Sequence, residues 1–217
     1  MKIAIRVNSS DEIGGGHVMR CLSLAKAFET RHHEVIFITS NLQGNINLII
    51  EDNGYRQFVL TEESKAFLDI DKVADEKDQL KDAENVLKIF QKENIDMAIV
   101  DCYNLDYKWE SVIKDKYPLM VIEDFPSRKH DCDIFLDSTF GRDKSEYSHK
   151  ISYEEVLIGV NFIPIRDEFC KERNVDPPNI SKKVRQILLT MGSVDKKNTL
   201  LSILNILEKI KLSISDI

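Results

Sequence analysis

The chain has 217 residues, enough for one large domain or two small ones. With 42% hydrophobic and 31% charged residues it can build a core, and with only 8 Gly and 5 Pro it is neither collagen-like nor low-complexity. A formal net charge of −7 argues against a nucleic-acid binder and against attachment to an anionic membrane surface, and no run of about 18 apolar residues offers a membrane span.

Residues 1–7 (MKIAIRV) alternate apolar and polar and predict a first strand, too short in its apolar part for a signal peptide. Val18, Cys21, Leu22, Ala25 and Phe28 then follow the spacing of one helix face. Residues 34–39 (EVIFIT) predict a second strand, 45–53 a short helix stopped at Gly54, and 55–60 a third strand. The stretch 61–93 holds 10 acids and 6 lysines, and Leu80, Ala83, Leu87 and Phe90 give it the stripe of a solvated amphipathic helix. The run MAIV at 97–100 suits a strand buried on both faces. A helix near 107–116 and strands at 119–123, 133–136 and 156–158 complete the pattern. Strands alternating with helices predict an α/β fold with a parallel sheet of βαβ units.

After residue 170 the composition changes. Residues 171–183 (KERNVDPPNISKK) predict a linker, 184–190 a strand, and about 197–211 a helix. One strand and one helix cannot bury their apolar faces alone, so 184–217 is expected to be the first βα unit of an incomplete second domain. Residues 181–217 carry 7 basic and 3 acidic side chains, which suits phosphate recognition or a solvated helix face. The four cysteines, Cys21, Cys102, Cys132 and Cys170, lie far apart without a Cys-x-x-Cys pair and are expected to be reduced thiols in a cytoplasmic protein.

The loop Gly14-Gly15-Gly16-His17 joins the first strand to the first helix, where ligands of open α/β sheets bind. Its glycines allow close backbone approach and positive φ, and the helix start attracts an anion. It fits neither the dinucleotide fingerprint, because the third glycine position is Met19, nor the P-loop pattern. A tight strand-to-helix turn is the other reading of it. His17 at the positive end of a helix is disfavoured as imidazolium, so a neutral ring suits a general base. The other histidines, His32, His33, His130 and His149, stand in polar stretches and are expected to be solvated. Asp101, with Tyr103 two residues on, and Glu123-Asp124 end predicted strands and should face the same crevice as His17, or else cap the helices that follow. Arg166 is expected in a packed ion pair, and Asp195 and Asn198 as helix caps or ligand contacts.

These residues form a recognisable set. The pattern M-K-I-A-I-R-x(7)-G-G-G-H-V-M-R-C, with D-C-Y at 101–103, E-D at 123–124 and H-D-C-D at 130–133, continues with L-I-G-V-N-F-I-P-I-R at 157–166 and L-L-T-M-G-S-V-D at 188–195. It closely resembles the UDP-2,4-diacetamido-2,4,6-trideoxy-β-L-altropyranose hydrolases of pseudaminic acid synthesis and the related spore-coat polysaccharide biosynthesis proteins. The resemblance departs at Glu123, where the family usually has Asp, at Ser193, where it usually has Gly, and in a second domain expected to stop after its first βα unit.

The resemblance implies a Rossmann-like N-terminal domain (1–170) of a glycosyltransferase-B-like, two-domain architecture. It implies a hydrolase that adds water to a UDP-sugar with inversion at the anomeric carbon, with His17 as base and neither metal nor cofactor. Gly14, Gly15, Gly16, Arg20, Asp101, Tyr103, Asp124, Gly192, Ser193 and Asn198 are then expected to contact substrate, with orientation of His17 as a further role for Asp101 and Asp124. The expected partners are the UDP-sugar and a C-terminal domain or complementing chain, with no nucleic acid and no membrane; residues 1–217 alone are expected to bind UDP weakly and to show little or no hydrolase activity. A glycosyltransferase of related fold and a catalytically silent binding module are the alternatives.

Overall fold

The computed structural model describes all residues except 62–66, 68–71, 148–150, 153–154, 174–186, 192–194, 196–197 and 210–217. In chain order the elements are β1 (Lys2–Val7), α1 (Gly16–Glu29), β2 (Glu34–Ser40), α2 (Asn47–Asp52), β3 (Arg56–Leu60), α3 (Glu76–Glu93), β4 (Met97–Asp101), α4 (Tyr107–Lys114), β5 (Leu119–Ile122), β6 (His130–Asp131), β7 (Ile134–Asp137), β8 (Ile151–Ser152), β9 (Glu155–Ile158), α5 (Asp167–Glu172) and α6 (Thr199–Lys209). Two compact units divide between Arg166 and Asp167. No described helix is long and apolar enough to cross a membrane.

The first unit, Met1–Arg166, is a Rossmann-like α/β domain. Its seven-stranded sheet has the order β3-β2-β1-β4-β5-β7-β9, and every neighbouring pair is parallel. The short β6 and β8 pair with each other apart from it. A parallel sheet needs cover on both faces, and the β-branched runs of β1, β2, β4 and β5 supply apolar side chains to both. One face packs Ala4, Ile36, Ile38, Ala98 and Val100 against Ala83, Val86 and Phe90 of α3 and Trp109 and Ile113 of α4. The other packs Ile3, Ile5, Val7, Phe37 and Ile99 against Val18, Cys21, Leu22 and Ala25 of α1 and Ile50 of α2.

The apolar stripe of α3 holds at Ala83, Leu87 and Phe90, which are buried, and departs from the expected one at Leu80. Leu80 is 38% exposed, while Gln79, Asp82 and Val86 are buried. The two polar side chains are buried because each answers a partner from another element. Gln79 donates to the Ala74 carbonyl at 2.9 Å and accepts the Asp106 N–H at 3.0 Å, while Asp82 accepts the Trp109 indole N–H at 2.8 Å. Asp82 also meets Arg6 of β1, with Nη2 at 2.8 Å and Nε at 3.2 Å, both side chains being nearly inaccessible. Arg6 further donates to Asn8 Oδ1 at 2.6 Å and to Ser40 Oγ at 2.9 Å. Removing one partner strands a buried charge. Asp82→Ala is therefore expected to lower unfolding stability by about 3–5 kcal/mol in chemical denaturation, well beyond an exposed-site substitution such as Glu84→Ala.

The second unit, Asp167–Ile217, contains α5 and α6. Helix α5 covers the first two residues of the expected linker, whose residues 174–183 lie outside the described part. The strand expected at 184–190 is not found at 187–190, and its first three residues lie outside the described part. A strand needs a neighbour to take up its backbone hydrogen bonds, and no described strand pairs there. Helix α6 forms as expected, with Asp195 accepting the N–H groups of Thr199 at 2.8 Å and Leu200 at 2.9 Å. Arg166, expected to be packed, is exposed.

Candidate functional site

Strand order reverses at β1, which lies between β2 and β4. Crevices at the carboxyl ends of such a pair are where open α/β sheets bind ligands. Val7 and Asp101 end β1 and β4 in register, and Glu123-Asp124 follows the last residue of β5 at the same edge. The parallel topology thus brings three chain-distant segments together.

The loop after β1 makes a tight turn. Ser10 Oγ accepts the N–H groups of Glu12 at 3.1 Å and Ile13 at 3.0 Å, and the Gly14 N–H reaches the Ser10 carbonyl at 2.8 Å. Only Gly14 of the three glycines needs the left-handed region, at φ 75°. Gly15 is the N-cap of α1 and contributes no side-chain cap. A Cβ at Gly16 would meet nothing within 4 Å, so open space lies beside the backbone at the start of the helix.

His17, in the first turn of α1, is 8% exposed, and its Nδ1 lies 2.6 Å from Oδ1 of Asp101. The Asp101 carboxylate is fully buried. Arg20, one helical turn after His17, clamps it with Nε to Oδ2 at 2.6 Å and Nη2 to Oδ1 at 2.7 Å. Cys21 Sγ adds a contact to Oδ2 at 3.4 Å. Arg20 Nη1 extends to Asp124 Oδ2 at 2.6 Å, and the Tyr103 hydroxyl donates to that same oxygen. The edge of the Tyr103 ring meets the His17 ring, centroids 4.4 Å apart, and Phe125 packs on Tyr103 at 5.0 Å.

This geometry assigns the His17 tautomer. An ionised carboxylate only accepts and a guanidinium only donates, so the Nδ1 proton points at Asp101. The 3.2 Å approach of Arg20 Nη2 to Nδ1 is then a by-product of the clamp. In a neutral ring the lone pair then falls on Nε2. Burial by itself would push the Asp101 carboxyl up; the neighbouring His17 and Arg20 outweigh it and hold it well below the usual carboxylate range. Burial and the bond to Asp124 push the Tyr103 phenol far up, so it stays a donor. Burial also raises the Cys21 thiol, and pushes Cys102 up to about 11, which leaves neither as a nucleophile at neutral pH.

Of the residues expected to touch substrate, Asp101 is too deeply buried, and orienting His17 is the role its contacts support. Arg20 has three nitrogens engaged with Asp101 and Asp124 and holds the site together. Asp124 and Tyr103 are partly accessible at its rim. Gly192 and Ser193 lie outside the described residues, while Asn198 is exposed with φ 50° just before α6. His130, expected to be solvated, is buried against Glu110. His32 is exposed and His33 partly so, and His149 lies outside the described residues. Glu110, Phe125 and Arg128 carry no site signal of their own in the sequence; Phe125 and Arg128 stand near the E-D and H-D-C-D segments, while Glu110 lies in the helix expected at 107–116. Among the described residues no group of three or more His, Cys, Asp or Glu is placed to hold a metal ion.

Fold and site together define a Rossmann-like α/β domain with an aspartate-oriented histidine at its switch point. In sequence the chain is a relative of the UDP-2,4-diacetamido-2,4,6-trideoxy-β-L-altropyranose hydrolase of Campylobacter jejuni, 28% identical over 214 residues, which cover 98% of this chain and 68% of that protein. An uncharacterized protein of Methanocaldococcus jannaschii is 27% identical over 208 residues, 91% of this chain and 38% of its own length. The chain thus spans about two thirds of the first relative and well under half of the second. No family model matches. Among solved structures, MurG of Acinetobacter baumannii aligns over 72% of this chain and 44% of its own, at 11% identity and TM-score 0.46. A glycosyltransferase of Rickettsia africae aligns over 81% and 46%, at 15% identity and TM-score 0.49.

Proposed function

We propose that the chain carries the histidine half of a nucleotide-sugar hydrolase site. Its substrate would be a UDP-activated diacetamido-trideoxy sugar, split by water into UDP and the free sugar of a pseudaminic acid-type route. The observation that carries this reading is the 2.6 Å bond from His17 Nδ1 to the buried, Arg20-clamped Asp101. The name of the Campylobacter jejuni relative supplies the substrate class.

In the proposed reaction His17 Nε2 takes a proton from water as the water oxygen bonds to the anomeric carbon. The bond from that carbon to the UDP oxygen breaks on the opposite face, and UDP leaves with the electron pair. Asp101 stays ionised and stabilises the imidazolium that forms. UDP is a good leaving group, so no strong general acid is required. The open space beside Gly16 and the start of α1 suit the approach of sugar or phosphate. Asp124 and Tyr103 would hold polar substituents of the sugar. Gly192, Ser193 and Asn198 would serve the nucleotide.

Product analysis with a panel of UDP-sugars tests this reading, with the chain alone and with a supplied C-terminal domain. Free sugar and UDP are expected in the absence of any acceptor, and with the diacetamido-trideoxy sugar in preference to UDP-N-acetylglucosamine. Strict dependence on an acceptor would overturn hydrolysis in favour of transfer. The combined form is expected to be the faster, because a cleft excludes water and fixes substrate only when both walls are present.

A further inference from the structure

A second buried charge cluster stands behind the His17 site. Glu123 directly follows β5 and is 2% exposed. Its Oε1 accepts the N–H groups of Asp124 at 2.8 Å and Phe125 at 3.1 Å. It therefore shapes the loop that presents Asp124 to Arg20 and Tyr103, and Phe125 to the Tyr103 ring. Its Oε2 faces His130 Nε2 at 3.6 Å and Arg128 Nη1 at 3.5 Å. Arg128 in turn donates to the Tyr103 carbonyl and lies over the Tyr103 and Phe125 rings, 5.5 and 5.7 Å from their centroids.

Behind Glu123 comes His130 of β6, fully enclosed. Its Nδ1 is 2.8 Å from Oε1 of Glu110 on α4, whose Oε2 accepts the Asp131 N–H at 2.8 Å. His130 Nε2 is buried without a hydrogen-bond partner among the described residues, so its facing charge is that of Glu123. An imidazole between two buried carboxylates places an N–H toward each when protonated.

We propose that Glu123 is a positioning residue for the His17 site, holding the Asp124–Phe125 loop in place, and that His130, as an imidazolium tied to Glu110, is together with Arg128 the counter-charge that keeps Glu123 there. The chain of contact runs Glu110–His130–Glu123, then through two backbone N–H groups to Asp124 and Phe125, and through Arg20 and Tyr103 to His17. None of the three buried groups touches the reacting atoms.

The electrostatics of the cluster agree with this geometry. Burial opposes the charge on His130, but the bond and charge of Glu110, with the charge of Glu123, outweigh it and raise its pKa. Burial raises both Glu110 and Glu123, against the His130 bond in one case and the Arg128 and His130 charges in the other. Asp106 and Asp131 also act on Glu110, and Arg128 opposes the His130 charge. Tyr147 is a further titratable group near Glu123. A raised folded value for His130 means that its stabilisation is complete below the unfolded value of about 6.5 and is lost as pH rises through the folded one.

NMR on the intact chain tests the proposal whatever the substrate proves to be, because it reads the site rather than turnover. In the unaltered protein the amide signals of Asp124 and Phe125 are expected to shift with the same midpoint as the His130 ring. Glu123→Ala is expected to displace the His17 and Tyr103 ring signals. Glu123→Gln keeps an acceptor for the two N–H groups, so it is expected to return those signals near their original positions while uncoupling the loop amides from the His130 titration. Loop amides that do not follow His130 in the unaltered protein would overturn the proposal without need of any variant. So would His17 ring signals unchanged in Glu123→Ala, or a Glu123→Gln protein as displaced as Glu123→Ala.

Discussion

With a C-terminal domain supplied, replacing His17 by alanine is expected to lower UDP-sugar hydrolysis by about 10²–10⁴-fold, the contribution typical of one positioned general base. The expectation follows from the dyad. Asp101 holds the Nδ1 proton, so Nε2 is the ring atom able to take a proton from water. Among the described neighbours, the buried Cys21 and Cys102 thiols are raised and Tyr103 keeps its phenol proton, so none of these three replaces it. The proposed reading assigns UDP to other groups, so its affinity in calorimetry is expected to change little. Single-turnover UDP release on the same preparation separates chemistry from binding. Turnover within threefold of the unaltered protein would remove His17 from the role of base.

The second large effect concerns Arg20. Its guanidinium is the clamp on a fully buried carboxylate, and its own side chain is 18% exposed. Arg20→Ala leaves Asp101 enclosed with its fixed positive partner gone, a change that costs about 3–5 kcal/mol in comparable buried pairs. The dependence on pH distinguishes this from a packing defect. In the unaltered protein the Asp101 carboxyl lies well below its ordinary value. A depressed folded value contributes stability that is present above the unfolded value of about 3.9 and is lost as pH falls through the folded one. Without Arg20 only His17 is left to oppose burial, so the carboxyl rises from its depressed position and the variant takes up the proton at higher pH. The stability gap between the two proteins is therefore expected to narrow on acidification from pH 8 toward pH 4, read by denaturant unfolding across that range. A gap independent of pH would show that Arg20 acts through packing alone. The catalytic consequence follows from the same contacts, because a loosened Asp101 no longer fixes the His17 tautomer.

Much of the domain was legible along the chain because the signals are local. Continuous apolar runs such as MAIV mark strands buried on both faces, and the Val18–Phe28 spacing marks the inner face of α1. Parallel topology then sends every strand's carboxyl end to one edge, so His17, Asp101 and Asp124 could be assigned to one crevice before any contact was known. Where residues sit along the chain determined who is at the crevice. It did not determine what each does there. The His17–Asp101 bond joins residues 84 apart and the Arg20–Asp124 bond residues 104 apart, and only the packing of α1 on the sheet makes Asp101 an orienting group and Arg20 its clamp.

Polar residues were the ones read wrongly, for one physical reason. A charged or amide side chain in a polar stretch looks solvated, and its burial depends on a partner from elsewhere. Asp82 is inside because Arg6 and Trp109 meet it, and His130 is inside because Glu110 does. Leu80 turned outward where the stripe placed it inward, since the face of α3 that packs was chosen by those polar partners. The strand expected at 184–190 illustrates the same dependence in the backbone. An apolar run can prefer the extended state, yet it becomes a strand only where a neighbour takes its hydrogen bonds. Composition and period determined the alternation of strands and helices, the parallel sheet, and the edge where the candidate site lies. Tertiary structure alone decided which buried charges pair, because a buried charge is stable only beside partners that local sequence does not contain.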